Sequence, residues 1–510
     1  MKLTPEERQL GRDNFYRSLG VTRRDLLKAA AVAPAVGAFY FGYSKLDGNP
    51  VRAGLIGSGD QGNVLLTESN PDYLQFIAYS DIRPSQKDRA KHGDPESPYR
   101  LGFMRKYEIN EEQFSQQVSF YEDYQQLLEN PDIELVVIAL PLHLHYEVVM
   151  AALEAGKHVL CEMLMAEEVG RCKEMARKAR ETGLYLAVGH QRHYSILYDN
   201  AFSLGGGNLL GEIQHIRARW HRNDSWPRME NGTPVKVNGK IQLENSWRQP
   251  ILPADEALDV AKYGYKSLEE LCWWRHYRRT AGSMMAELGS QQLDACSMFL
   301  GQQQPLAVSA VGGKFFYEDD RDTEDHVFAT FEFPGDNHPR GKNAGDQDQD
   351  IAVVTYSAIS TNAIEEYGEQ IMGSRGTMLV ESEREVLLFM ESDSDKNILA
   401  RETQVTVSNN DMETPVLETT ETSGVGTASA GRAQAILAER PSRGYREQME
   451  HLAWCIRNPA PENQPRCGPQ IALSRAVCAL TADLAMREQR RIEFRPEWFD
   501  VDSEETPATG

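Results

Sequence analysis

Positive charge is in short supply: 54 lysines and arginines stand against 76 aspartates and glutamates in 510 residues, a formal net charge of -22. Nucleic-acid binding needs a basic footprint, and so does docking on an anionic membrane, so neither partner is expected. Cysteine is also sparse. The seven (Cys161, Cys172, Cys272, Cys296, Cys455, Cys467 and Cys478) are odd in number, scattered, and form no C-x-x-C. That argues against a disulfide framework and a zinc site of the usual spacing, leaving most of them as small buried hydrophobes. No internal repeat is visible. The uncharged, mostly apolar run from Ala29 to Tyr43 is interrupted by Pro34 and Gly37, and it is shorter than the roughly 20 residues of a comfortable spanning helix. What remains is ordinary for a soluble globular protein, with 41% apolar and 25% charged residues. The length suits two domains and a large core.

Just before the apolar run stands Thr22-Arg23-Arg24-Asp25-Leu26-Leu27-Lys28. Paired arginines followed by a short apolar stretch form the twin-arginine export pattern. Residues 1–50 are therefore read as an export signal and linker, and the protein as periplasmic or otherwise exported. No cysteine follows the run, so membrane contact is limited to the signal acting as an anchor. Cleavage near Ala33-Pro34-Ala35 or Val36-Gly37-Ala38, and retention, both stay open. A route that carries folded proteins suits a chain that takes up a cofactor before export and has no disulfide framework.

From Val51 onward strands and helices alternate. Strands are expected at Val51–Ile56, Leu74–Tyr79, Glu134–Leu140, His158–Glu162 and Tyr185–Gly189, with helices at Tyr146–Ala155 and Glu167–Glu181. This alternation predicts a doubly wound parallel sheet over residues 51–190. After Arg192 the texture changes. Longer strands at Glu212–His221, Leu306–Phe316, His326–Phe333, Ile351–Ser360 and Glu369–Glu381 predict a second α/β domain, residues 191–499, with a largely antiparallel open sheet. It carries an irregular insertion (222–270) and two late helices (within 445–486). Residues 334–350 and 404–440 read as exposed loops, and 500–510 as a tail.

Gly57-Ser58-Gly59-Asp60-Gln61-Gly62 is a G-x-G-x-x-G that follows a strand and opens a helix. Gly57 makes the tight turn, Gly59 lets the backbone approach a pyrophosphate, and Gly62 lets helix pack on strand. The helix N-terminus then presents free N–H groups to the phosphates. Asp81, 19 residues beyond Gly62, is placed to accept hydrogen bonds from the adenosine ribose and to repel a 2′-phosphate. NAD is thus favoured over NADP, although Arg83 nearby carries the charge that a 2′-phosphate would want. The domain reads as a Rossmann fold.

Several further stretches resemble the glucose–fructose oxidoreductase and inositol dehydrogenase family (Gfo/Idh/MocA). They are Pro141 with His145, Ala155-Gly156-Lys157-His158-Val159-Leu160-Cys161-Glu162, Gly189-His190-Gln191-Arg192-His193-Tyr194, Gly282 to Asp294, and Ile371 to Thr377. The likeness runs from about Val51 to Phe499 and is strongest to an exported, long-insert, planctomycete-like branch. It implies a Rossmann domain followed by an α/β domain whose open sheet face serves oligomer contacts, hence a homo-oligomer. It also implies cofactor roles for Pro141, His145 and Glu162. Two departures matter. The family's Glu-Lys-Pro reads Glu162-Met163-Leu164, and its Asp-x-x-x-His reads Glu287-x-x-x-Gln291. Neither Met163 nor Gln291 exchanges a proton near neutral pH.

Other groups must then supply the base. Glu287 is the first candidate, on one helix face with Gln291; His193 and His190 are the next, at the exit of the sixth strand. Arg192, Tyr194, Gln291 and Trp220 are candidate substrate contacts. Five of the seven tryptophans, Trp220, Trp226, Trp247, Trp273 and Trp274, cluster in and around the insertion beside Arg219, Arg222, Arg275 and Arg278, as stacking on sugar rings or an interface would require. His143 and His145 have no evident third ligand, so no metal is expected. Three functions stay open: an NAD-dependent oxidoreductase of a carbohydrate, a glycoside hydrolase or lyase with transient redox at NAD, and a non-catalytic NAD- or sugar-binding protein.

Overall fold

A computed structural model describes residues 3–19, 41–46, 48–206, 209–230, 232–237, 240–241, 243, 247–391, 406–408, 416–418 and 443–507. Arg23 and Arg24, residues 33–38 and nearly all of the loop 404–440 lie outside the described residues.

The first sheet consists of β1 (Val51–Ile56), β2 (Leu74–Ser80), β3 (Ser119–Tyr121), β4 (Leu135–Ile138), β5 (His158–Cys161) and β6 (Leu186–Val188). All pairs are parallel and the spatial order is β3-β2-β1-β4-β5-β6. This is the doubly wound order that reverses direction between β1 and β4, where dinucleotides bind. Helices cover both faces, which is why the central strands are apolar throughout: all four residues of β4 are buried.

The second sheet holds β7 (Ile213–His221), β8 (Ala307–Gly313), β9 (His326–Pro334), β10 (Ile351–Ile359), β11 (Tyr367–Gly373), β12 (Gly376–Glu381), β13 (Glu385–Met390) and the short β14 (Ile492–Glu493). Its order is β13-β12-β11-β7-β10-β9-β8-β14, antiparallel except for the β7–β10 pair. Along β10, Ala352, Val354, Tyr356 and Ala358 are buried and the residues between them are not, the alternation of a sheet with one face on a core. The opposite face is open at β8 and β9. Val311 and Phe328, cross-strand partners, are 65% and 42% exposed.

Four local features differ from the sequence reading. Glu369–Glu381, read as one strand, is the β11–β12 hairpin, turned at Ser374-Arg375. Gly373 permits the turn, since a Cβ there would lie 2.1 Å from the Leu210 carbonyl oxygen. The helix Tyr445–Arg457, assigned to the second domain, buries Tyr445, Met449, Leu452 and Ala453 against Val51, Ala53, Leu55, Leu65 and Leu66 of the first. Its amphipathic stripe says that it packs, not on which sheet. The tail is docked: buried Lys173 donates to the carbonyls of Glu497, Ser503 and Glu505.

The fourth difference concerns residues read as signal and linker. Helix Pro5–Ser18 begins with a capping box between Thr4 and Glu7 and lies on β13. A Cβ on Gly11 would come within 2.5 Å of the Phe389 ring. Asn14 donates to the Leu388 carbonyl at 3.1 Å, and Arg8 bridges Glu381 and Glu385. Further on, Tyr43 donates to Glu450 at 2.7 Å. No described helix is long and apolar enough to cross a membrane. Phe15, 1% exposed, anchors the N-terminal helix. Phe15→Ala in the full-length chain is expected to lower unfolding free energy by about 3 kcal/mol, measured by denaturant titration. An unchanged midpoint would show that this helix does not dock.

Candidate functional site

The turn after β1 is shaped by its own packing. Gly57 has φ +89°, and a Cβ on it would sit 2.3 Å from the Ala139 carbonyl oxygen; one on Gly62 would sit 2.0 Å from the Gly57 oxygen. Gly59 is different. A Cβ there meets nothing within 4 Å, because this glycine faces a cleft rather than the chain. It is the N-cap of helix Asp60–Glu68, and no side chain caps that end. The first-turn N–H groups are left for an anion. At the exit of β2, Asp81 accepts from the Ser58 amide at 2.8 Å and the Arg83 amide at 2.9 Å. Burial raises its carboxyl above the usual range and these amides pull it back.

These groups line a cleft of about 1090 Å³, shared with Glu162, Met163, Gln191, Trp220, Glu287 and Gln291. The residues fit a dinucleotide: an open glycine approach, an uncapped helix end and a ribose-directed carboxylate. Glu162, just beyond β5, accepts from Gln61 at 2.7 Å and from the Met163 amide at 3.3 Å. Burial pushes its carboxyl up to about 7, against the pull of those hydrogen bonds and with the charge of Glu287 adding to the rise. Glu287 lies in a single π-helical turn, Met285–Gly289, that runs into helix Ser290–Phe299. Burial raises its carboxyl as well, and Arg275, whose Nε donates to it at 2.8 Å, opposes that. Arg275 in turn stacks over Trp274 at 4.1 Å, and Trp220 stacks on Tyr367 at 4.7 Å. Trp220, Trp247 and Trp274 all line the cleft.

Residues 51–190 match the model of the oxidoreductase family with an NAD-binding Rossmann fold, Gfo/Idh/MocA. The domain is similar to the NAD-binding domain of that family. Inositol 2-dehydrogenase/D-chiro-inositol 3-dehydrogenase of Lactiplantibacillus plantarum is 34% identical over 108 residues, 21% of this chain and 31% of that protein. Trans-1,2-dihydrobenzene-1,2-diol dehydrogenase of Oryctolagus cuniculus is 24% identical over 289 residues, 56% of this chain and 66% of that protein. The aligned stretches thus cover about a third to two thirds of these curated relatives. Among solved structures, an oxidoreductase domain protein from Kribbella flavida superposes with a TM-score of 0.57 at 17% identity, covering 87% of this chain and 99% of that one. Levoglucosan dehydrogenase in complex with NADH and L-sorbose gives 0.53 at 15%, with the same coverage. At these identities the likeness is one of fold.

In this domain and its partner, the sequence-singled residues divide. Gly57, Gly59, Asp81, Pro141, Glu162, Trp220, Glu287 and Gln291 line the cleft, and Gly62 packs behind it. His145 lies beneath, its ring nitrogens 2.8 and 2.9 Å from the carbonyl oxygens of Leu164 and Leu140. The turn Gln191–Tyr194 fans its side chains, so that Gln191 reaches the cleft and donation from Gln291 at 3.2 Å. The other three turn inward. His193 bonds Asp294 at 2.8 Å, Arg475 shares that carboxylate at 2.9 Å, and His190 is wholly buried beside it. Arg192 is held by Glu369 and Glu383, each at 2.9 Å, and by Gln292 at 2.8 Å. Tyr194 accepts from the Arg466 amide at 2.7 Å. His190, His193, Arg192 and Tyr194 therefore serve the interior and do not line the cleft. His143 packs edge-on against Tyr265.

Sequence reasoning missed Arg275 as the partner of Glu287, although it marked that arginine among the tryptophans. It also missed Tyr445, a cleft residue supplied by a helix some way down the chain with no local signal. The Glu162 carboxyl has a consequence for stability. Its folded pKa lies above its ordinary value of 4.5, at about 7. Between those pH values the fold holds a proton that the unfolded chain has released, so this group's contribution to stability falls as pH rises through the window and is constant above it. Glu162→Gln is expected to gain thermal stability relative to the parent from pH 4.5 to about 7, then to level off. A difference in Tm independent of pH would place this carboxyl at its ordinary pKa.

Proposed function

We propose that the chain is an exported, NAD-dependent oxidoreductase acting on a sugar or sugar derivative, of the long-insert branch. The observation that carries this reading is one cleft holding a dinucleotide cradle, three tryptophan faces and a carboxylate able to take a proton. Trp220, Trp247 and Trp274 offer flat apolar surfaces to a sugar ring. Gln191 and Gln291 offer amide groups to its hydroxyls. Bound NAD supplies the hydride acceptor. Glu287 accepts the hydroxyl proton, and Arg275 orients its carboxylate and moderates its raised pKa. Met163, beside the Ser290 hydroxyl at 3.8 Å, fills the family's lysine position with an apolar side chain and takes no proton. The relatives named as dehydrogenases support the reaction class, and levoglucosan dehydrogenase, solved with L-sorbose, supports a carbohydrate. The exposed Val311 and Phe328 on the open sheet face support a homo-oligomer.

The two carboxyls Glu162 and Glu287, both raised by burial in one cleft, favour a second reading. Paired groups of this kind serve general acid–base cleavage, so a hydrolase or lyase with transient oxidation at NAD would use the same cleft without net NADH. Turnover of carbohydrates followed by NADH absorbance separates the two: net accumulation of NADH supports the oxidoreductase. Glu287→Gln is expected to reduce kcat by about 10²–10⁴-fold while NAD affinity, by calorimetry, is retained. Parental rates in that variant would make Glu287 structural. Export is tested in cells. With both Arg23→Lys and Arg24→Lys in place the protein should remain in the cytoplasmic fraction, and undiminished export would sink the twin-arginine reading.

A further inference from the structure

The turn Pro253–Asp255 of the insertion rests on the first domain just beyond Asp81. Asp255 has no exposed surface. Its Oδ2 receives the Arg83 guanidinium, Nε at 3.0 Å and Nη2 at 2.8 Å, and the Ser85 hydroxyl at 2.6 Å, while Oδ1 receives the Ser85 amide at 2.9 Å. Ser85 stands in the first turn of helix Pro84–His92, an end that no neighbouring side chain of its own segment caps. Asp255 therefore caps this helix from 170 residues away, with its charge on the favourable end of the helix dipole.

The donor set is informative. A guanidinium, a hydroxyl and a helix N-terminal amide, directly after the ribose-directed carboxylate at the end of β2, are the groups that bind a phosphate on the adenosine 2′-oxygen. Here one internal carboxylate occupies all three. We propose that Asp255 is a built-in mimic of the 2′-phosphate, which withholds Arg83 and Ser85 from NADP and makes the cleft selective for NAD. Asp81 alone leaves that selectivity open, because Arg83 could neutralise the extra phosphate. The Arg83–Asp255 pair closes it. The rest of the cleft agrees. The three basic side chains that line it are each ion-paired, Arg83 with Asp255, Lys262 with Glu122 and Arg275 with Glu287, against seven lining carboxylates. No described cation of the cleft is left for a second phosphate. Asp255 is a specificity-determining residue; it takes no part in hydride or proton transfer.

The test is binding rather than turnover. Dissociation constants for NADH and NADPH are measured by fluorescence titration on the full-length chain, in the parent and in Asp255→Asn, Arg83→Ala and the double variant, with Tm recorded for each. The parent is expected to prefer NADH. Asp255→Asn should narrow the preference at least about tenfold, chiefly by tighter NADPH, because Arg83 is released. The double variant should lose that gain. Arg83→Ala alone should leave NADPH binding within about twofold, since the guanidinium was already withheld. This arm holds even if Asp255→Asn fails to fold. The proposal is overturned by an unchanged NADPH/NADH ratio in Asp255→Asn, by a gain that survives in the double variant, or by a marked loss of NADPH binding in Arg83→Ala. A parent that prefers NADPH overturns the NAD reading of the cleft itself, apart from the role of Asp255.

Discussion

A carboxylate with no exposed surface is tolerable only where its charge is matched, and in this protein the matching partners come from distant parts of the chain. Asp255 reaches Arg83 and Ser85 across 170 residues or more. Asp294 joins His193 to Arg475. Glu369 and Glu383, on the second sheet and at its β12–β13 turn, hold Arg192 beside the first. Removing one member of such a pair typically costs about 3–5 kcal/mol, because it strands the other. The two domains are thus joined at particular points by charge, and the cleft between β1, β4 and the second domain inherits its shape from those points.

The same constraint governs what the cleft can do. A lysine at position 163 would bring a charge needing its own partner into a site where each lining cation already has one. A methionine needs none, and it fills the space with a flexible apolar chain. The carboxyls of the cleft are ones whose ionisation is opposed by burial. Arg275 opposes the rise at Glu287, and Glu162, bonded by Gln61 and the Met163 amide, is pushed up to about 7. Desolvation raises both carboxyls, and ion pairing opposes it at Glu287.

The covalent order of the chain does not follow the order of the fold. The helix Pro5–Ser18 lies on β13, and the helix Tyr445–Arg457 completes the apolar layer behind β1 and brings Tyr445 into the cleft. The insertion returns to the first domain at Asp255 and at Glu122, which receives Lys262 and Tyr263. A dinucleotide site that is local in its motif is therefore walled by segments far apart in the chain, from Ile56 to Tyr445.

The amino-acid sequence by itself determined what depends on neighbours in the chain. The glycine spacing after β1, the apolar runs of a doubly covered parallel sheet, the alternation of β10 and the carboxylate at the end of β2 are all short-range patterns with a direct steric or hydrogen-bonding cause. They suffice for the fold class and the cofactor, whereas Met163 and Gln291 stand out only against the motifs of the family that the chain resembles. Only the tertiary structure decided which way the side chains after β6 point. His190, Arg192, His193 and Tyr194 occupy consecutive or near-consecutive positions with Gln191, yet one of the five faces the cleft and four turn to Asp294, Glu369, Glu383 and Arg466. It likewise decided that Asp255 meets Arg83. A buried charge selects its partner by position in space, and that position is a property of the assembled domains and not of any stretch of the chain.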